Sequence, residues 1–347
     1  MLLTALGVLS CARAPDSTPW ERAVRIHEDA VVIDAHAHPK PGATETLNLG
    51  EKTASFELDF LTMKEGGLDA VFFSVPMLSS ESDERPESVR IVEDARAVAD
   101  EVARFGDLAE IARSSEDLSR ILTLGKRAVL LGVETPDPFG GDIGTLQGFF
   151  DAGIRMVTLT SETLTVPVPG DGDQSDSGLN GFGRRVVEEM NRLGIIIDIT
   201  HTPDSLQLDI INTSAAPVVA SHSCTRALND VPRQIPDSII RALAEKGGVI
   251  CVTFYPGHIS GDFPDRAVTV EDLVDHIDHI VKIAGVDHVG FGSDFLGSEN
   301  HTVGLESAAG LPAITHSLLQ RGHSQEDIKK ILGGNLQRVL ESAQERG

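Results

Sequence analysis

Two histidines stand one residue apart where an apolar run ends, in VVIDAHAHPK at 31–40. If that run is a strand, His36 and His38 point to the same face, because side chains alternate along a strand. Two imidazoles side by side form a metal-ligand pattern. A short H-x-H also arises by chance, so its meaning depends on partners elsewhere in the chain. Those partners stand at the ends of four other apolar runs: Glu134 in AVLLGVE, His201 in GIIIDITH, His222 in PVVASHS and Asp294 in HVGFGSD. A lone histidine at a strand end is more often structural than a ligand. Six such residues at five strand ends are a joint event, and a metal site accounts for them better than coincidence.

The donor types indicate which metal. Imidazole and carboxylate without thiolate suit Zn²⁺, with Mn²⁺, Fe²⁺ or Co²⁺ as substitutes. Four histidines and two carboxylates exceed what one tetrahedral ion needs. Two zinc ions bridged by a carboxylate and a water would use them all. A hydroxide bridging two metals is a strong nucleophile at neutral pH. A further carboxylate can shuttle a proton to the leaving group.

A scaffold must place these groups on one rim. Eight apolar, β-rich runs are present: 30–36, 69–77, 128–134, 156–161, 194–201, 217–223, 248–254 and 288–294. Most are near-continuous rather than alternating, as expected of parallel strands covered on both faces. Helical segments lie between them. VEDLVDHIDHIVKIAG (270–285) places Leu273, Ile277, Ile280, Val281 and Ala284 on one face, and Thr269 with Asp272 forms a capping pair. GFGRRVVEEMNRLG (181–194) stops at Gly194. Eight strands alternating with helices predict a (β/α)8 TIM barrel of the α/β class, with a doubly wound open sheet as the rival. Segments entering the strands are short. Those leaving them, such as 135–144, 162–178 and 255–266, are long and rich in Gly, Pro and Asp. Long loops at the C-terminal ends of strands are where such a barrel builds its site. The acidic GDGDQSD stretch (170–176) lacks EF-hand spacing and reads as a solvated loop.

Composition narrows the partners. The chain has 347 residues, 41% of them hydrophobic, and a net charge of −24. Such a surface repels nucleic acid and anionic lipid. Cys11, Cys224 and Cys251 give neither a disulfide framework nor a C-x-x-C knuckle. The N-terminal MLLTALGVLSCARAPDSTP reads as a bacterial lipoprotein signal, with Val8-Leu9-Ser10 ahead of a Cys11 that would carry the lipid. An ordinary secretion signal or a disordered tail is the plainer alternative. The expected organisation is a signal-like segment at 1–18 and one hydrolase barrel at 19–347. The expected location is the periplasm or an outer-membrane anchor, and otherwise the cytoplasm.

These residues together resemble the membrane (renal) dipeptidase family of the amidohydrolase superfamily. The likeness rests on the H-x-H, GVE (132–134), DITH (198–201), SHS (221–223), GFGSDFLG (290–297) and GGNLQRVL (333–340), and runs from about residue 22 to 341. It implies that His36 and His38 bind one zinc, that His201 and His222 bind the other, and that Glu134 bridges them. It implies that Asp294 is the acid/base residue. It also implies that Arg233, eleven residues after His222, holds the substrate carboxylate bidentately. Alone, Arg233 would read as a surface salt bridge.

Two residues depart from the family. His38 stands where the family has Asp, which makes that metal site less anionic. Ser161 stands where the family has a His that contacts the substrate. A hydroxyl donates a hydrogen bond but carries no positive charge, and losing one such donor costs on the order of 10² to 10³ in rate. The expected activity is cleavage of small dipeptides, with a C-terminal D-residue admitted and Ser161 at the substrate. An N-acyl amino acid deacylase or lactonase is the alternative enzyme, and a catalytically inactive metal-binding protein is the rival outside enzymes. The resemblance also admits a homodimer. Among the other residues, His276 and His279 read as border or solvent positions. His258 and His301 lie in loops that could reach substrate. Cys224 reads as packing rather than a nucleophile, and Asp198 reads as orienting the site from behind.

Overall fold

Apolar runs of five to seven residues bounded by glycine and polar turns form parallel strands when both faces can be covered. The structure is a computed structural model that describes residues 18–39, 47–52, 57–75, 85–135, 137–160, 178–296 and 300–346. Nine strands occur among them: β1 (Ile33–Ala37), β2 (Ala70–Ser74), β3 (Ala109–Ile111), β4 (Arg127–Val133), β5 (Ile154–Thr158), β6 (Ile196–Asp198), β7 (Val219–Ser223), β8 (Val249–Val252) and β9 (Val289–Phe291). All pair in parallel, in the order β1-β2-β4-β5-β6-β7-β8-β9. The two ends of that path meet just past β9. Asp294 N–H donates to the His36 carbonyl at 2.9 Å, and His38 N–H donates to the Phe295 carbonyl at 2.8 Å. The fold is therefore a (β/α)8 barrel, and closure excludes the doubly wound open sheet. Its eight strands are the eight runs read from the sequence. The ninth, β3, was not read. It pairs with the start of β4, whose end pairs with β5.

Strand residues sort into two apolar sets. Ala70, Phe72, Ala128, Leu130, Ile196, Val219 and Val249 cluster with Leu336, Val339 and Leu340 of the C-terminal helix Asn335–Gln344. Their neighbours Val71, Phe73, Val129, Leu131, Ile197 and Ile250 belong to the larger core shared with the surrounding helices. Both sets are buried, so alternation is invisible in the sequence and the runs read as continuous. Where strand ends crowd together, side chains must vanish. A Cβ on Gly292 would lie 1.9 Å from the Ser221 carbonyl oxygen.

Helix Val270–Ala284 begins as expected, with Thr269 N–H donating to Asp272 Oδ2 at 2.8 Å. Helix Gly181–Leu193 ends at Gly194 with φ 70°. His276 differs from the sequence expectation. It is buried, because the 255–266 loop folds over its helix: its Nε2–H donates to the Ile259 carbonyl at 2.9 Å, and its Nδ1 accepts from Thr225 N–H at 3.2 Å. His279 keeps its border position, paired with Asp237 at 2.8 Å. Among the described residues no helix is long and apolar enough to cross a membrane. Cys11, the acidic stretch 170–176 and Ser161 lie outside the described residues.

His27 is buried like His276, with Nε2–H donating to the Gly66 carbonyl and Nδ1 accepting from Thr315 Oγ1. Burial pushes both imidazoles below their ordinary value. The unfolded chain takes up these protons near pH 6.5 and the folded chain does not. Stability from each is thus present above that pH and is lost as pH falls. We expect His276→Gln to destabilise the protein less at about pH 5.5 than at about pH 7.5, by up to ~1.4 kcal/mol in urea unfolding. A pH-independent difference would contradict this.

Candidate active site

The C-terminal ends of five barrel strands deliver six candidate ligands to one place. His36 lies on β1 and His38 one residue beyond it. Glu134 follows β4, His201 follows β6 by three residues, His222 lies on β7, and Asp294 follows β9 by three. His201 and Asp294 adopt φ of 65° and 60°. Non-glycine residues in this left-handed region are uncommon, and such backbone strain gathers at functional sites.

Glu134 stands at the centre. Its Oε2 faces one imidazole pair, 3.1 Å from His36 Nε2 and 3.6 Å from His38 Nε2. Its Oε1 faces the other, 2.9 Å from His201 Nε2 and 3.3 Å from His222 Nε2. Within each pair the Nε2 atoms are 3.2 Å and 3.1 Å apart. Asp294 Oδ1 lies 3.5 Å from His38 Nε2. Two bare lone pairs at such distances repel, so each pair must share a proton or a cation. His36 with His38 and Asp294, and His36 with Glu134 and His222, are sets compact enough to hold an ion.

The electrostatics favour positive charge at this spot. Burial pushes the Glu134 carboxyl up, but His36 and His222 outweigh it and hold the group well below its ordinary value. Burial pushes His36 down, and Glu134 reverses this and raises it to about 9. His222, stacked on His36 with ring centroids 3.9 Å apart, is lowered to about 4 by burial and then by the charge on His36. Asp294 is held below its ordinary value because His222 and His38 outweigh burial. Two carboxylates and four imidazole nitrogens converging on one point suit a cation.

Two buried carboxylates brace the arrangement. Asp198 Oδ1 accepts from the backbone N–H of Thr200 and of Ser221, at 3.0 and 2.9 Å, and from Thr200 Oγ1 at 2.8 Å. Its Oδ2 accepts from Thr158 Oγ1 and Ser221 Oγ, both at 2.7 Å. Ser221 Oγ lies 2.9 Å from His222 Nδ1. With its hydrogen given to Asp198, it accepts from Nδ1–H and leaves the His222 Nε2 lone pair facing Glu134. Asp34 does the same work across the barrel's closing seam. Its Oδ1 accepts from His36 N–H at 3.0 Å and Ser293 N–H at 2.8 Å. Each aspartate clips together two strands that carry site residues: Asp198 fixes His201 to His222, and Asp34 fixes His36 to Asp294. The sequence reading found Asp198 and missed Asp34. The available signal was a charged residue inside a fully buried run.

Arg233 lies in the loop after β7. Its Nη2 donates to the His222 carbonyl at 2.9 Å, while Nε and Nη1 are buried with no partner among the described residues. The surface salt bridge that Arg233 alone suggests does not form among the described residues. His301 pairs with Glu57 at 2.9 Å beside a cleft that Asp294 also lines. Cys224 is fully buried, and burial pushes its thiol up to about 12, so it is inert as a nucleophile.

The family model described as Membrane dipeptidase (Peptidase family M19) matches residues 20–347. Dipeptidase tcpJ of Claviceps purpurea (strain 20.1) is 37% identical over 243 residues, which is 70% of this chain and 57% of that protein. The chain spans less than two thirds of the length of the first curated relatives it matches. The probable dipeptidase PvdM from Pseudomonas aeruginosa superposes with a TM-score of 0.81 at 24% identity, covering 95% of this chain and 99% of that one. A metallo peptidase from Rhodobacter sphaeroides, liganded with a phosphinate mimic of the dipeptide L-Ala-D-Ala, superposes with a TM-score of 0.75 at 25% identity. Those matches cover 90% of this chain and 99% of that one.

The bracing makes a stability prediction. Removing the Asp198 carboxylate strands two buried backbone N–H groups and three hydroxyls. Hydrogen bonds to charged groups contribute roughly 1.5–3 kcal/mol each, and some donors will find other partners. We expect Asp198→Ala to lose on the order of 3 kcal/mol or more in urea unfolding of the metal-free protein. A loss below about 1 kcal/mol would mean that Asp198 does not brace the strands.

Proposed function

The chain belongs to the membrane dipeptidase family, and from that premise we propose that it is a zinc-dependent dipeptidase acting on small substrates with a free C-terminal carboxylate. The observation that carries this is Glu134, whose two oxygens each face a separate imidazole pair. The donor set fits two divalent ions. His36 and His38 would hold one, His201 and His222 the other, and Glu134 would bridge them. Nitrogen and oxygen donors without sulfur suit zinc. Bound there, the ions supply the Lewis acidity that makes water a nucleophile at neutral pH.

The chain's own residues do the rest. Asp294 is an anion at the rim, its Oδ1 3.5 Å from His38 Nε2, and takes a proton from the attacking water as the water oxygen bonds the carbonyl carbon. That proton passes to the leaving nitrogen as the C–N bond breaks, giving an acid and an amine. Arg233 keeps Nε and Nη1 without a protein partner among the described residues, and either of them, with the second hydrogen of Nη2, makes an edge that matches a carboxylate bidentately. The phosphinate mimic bound by the Rhodobacter sphaeroides relative supports admission of a D-residue at the C-terminal position. Ser161, which follows β5 in the sequence, would supply a neutral hydroxyl donor toward the substrate. Its presence in place of the family's histidine favours one second reading, hydrolysis of N-acyl amino acids on the same machinery.

A screen of L,L- and L,D-dipeptides, N-acyl amino acids and lactones tests the proposal. We expect dipeptides to be cleaved, Asp294→Asn to lose at least about 10³ in kcat while retaining metal, and Glu134→Gln to lose metal as well as activity. Turnover confined to N-acyl amino acids would establish the second reading. Asp294→Asn at the wild-type rate would overturn the assignment of the proton acceptor.

A further inference from the structure

Two loops meet above the site and are stitched together. The loop after β7 carries Arg233, and the loop after β8 carries His258. The His258 carbonyl accepts from Gln234 Nε2 and from Asn229 Nδ2, both at 2.9 Å. Gln234 is the residue next to Arg233, and its Oε1 accepts from Cys224 N–H at 2.8 Å. His276 adds a third tie, bridging Ile259 on one loop to Thr225 on the other. These bonds fix the backbone beside His258 to the backbone beside Arg233.

Buried polar atoms normally find partners. In this place three do not among the described residues: Arg233 Nε, Arg233 Nη1 and His258 Nδ1. The imidazole stacks edge-on against Tyr255, with ring centroids 4.9 Å apart, and does not turn Nδ1 toward any protein acceptor. Burial and then the nearby guanidinium push His258 down to about 3, against the opposing charge of Asp294. It is therefore a neutral imidazole beside a fixed cation and within reach of the site. A neutral donor can assist Arg233 without the repulsion that a second cation would bring.

We propose that His258 is a second recognition residue, whose Nδ1–H donates to the same substrate carboxylate that the Arg233 guanidinium grips. Together they select substrates that end in a free carboxylate over their amides and esters. The inference rests on reading the site as a hydrolase for carboxylate-bearing amides. A hydrogen bond to a charged group is worth roughly 10- to 100-fold in binding.

The test compares L-Ala-D-Ala with its C-terminal amide as substrates, and measures D-alanine binding by calorimetry on the purified, metal-containing protein. We expect His258→Phe to raise KM for the dipeptide and Kd for D-alanine by roughly 10- to 100-fold, with kcat within about threefold. The amide, a poor substrate already, should be unaffected. His258→Asn, whose Nδ2 can donate from nearly the same place, should recover most of the loss. Unchanged acid binding in His258→Phe, or equal losses for acid and amide, overturns the inference while leaving the dipeptidase reading intact. His258-dependent D-alanine binding without any hydrolysis supports the inference and overturns that reading. Neither binding nor hydrolysis overturns both.

Discussion

One carboxylate held between two pairs of imidazoles sets the terms for the rest of the molecule. Glu134 and the four Nε2 atoms around it lie between 2.9 and 3.6 Å apart. No such cluster is stable by itself: lone pairs repel, and a buried anion needs compensation. A closed parallel barrel can impose it because five strand ends share one rim and none can swing away. The bracing aspartates then lock neighbouring strand ends in register, and their hydrogen bonds hold His222 with its Nε2 facing inward. The local cost is visible. His201 and Asp294 sit at positive φ. Asp34 keeps one buried oxygen without a partner among the described residues, and burial raises its carboxyl to about 6. Such violations of local preference concentrate where a fold serves chemistry.

Much of this was legible in the residues, for a physical reason. Barrel strands are buried on both faces, so most of the eight stand out as near-continuous apolar runs, and the ligands stand out as polar residues where those runs stop. Loop lengths gave the polarity. β3 escaped because three residues with a glutamate among them carry no period. His276 was misplaced because helical periodicity knows only its own helix, and the loop that covers it comes from elsewhere in the chain. The left-handed turns at His201 and Asp294 were unreadable because neither residue is glycine. Arg233 marks the limit most clearly. Its spacing alone carries no meaning, the family likeness gives it a role, and only the fold shows two guanidinium nitrogens buried without a partner among the described residues.

Charge is arranged at two scales. The chain as a whole carries −24, yet the loops above the site present a guanidinium and a neutral imidazole, and the centre beneath them is built for cations. Long-range repulsion from such a surface is screened within about 8–10 Å at physiological salt. An anionic ligand terminus arriving there would therefore meet local donors rather than the global charge. This division, with acidic exterior, donor-lined mouth and cation-seeking floor, follows from which loops close over which strand ends.

The central claim is that Glu134 separates two metal positions. The most direct measurement is an anomalous difference map at the zinc absorption edge, from crystals of protein purified without chelator. Two peaks are expected to flank the Glu134 carboxylate, one against His36 and His38 and the other against His201 and His222. A single peak shared by all four histidines, or none at this rim in protein that hydrolyses dipeptides, would contradict that claim.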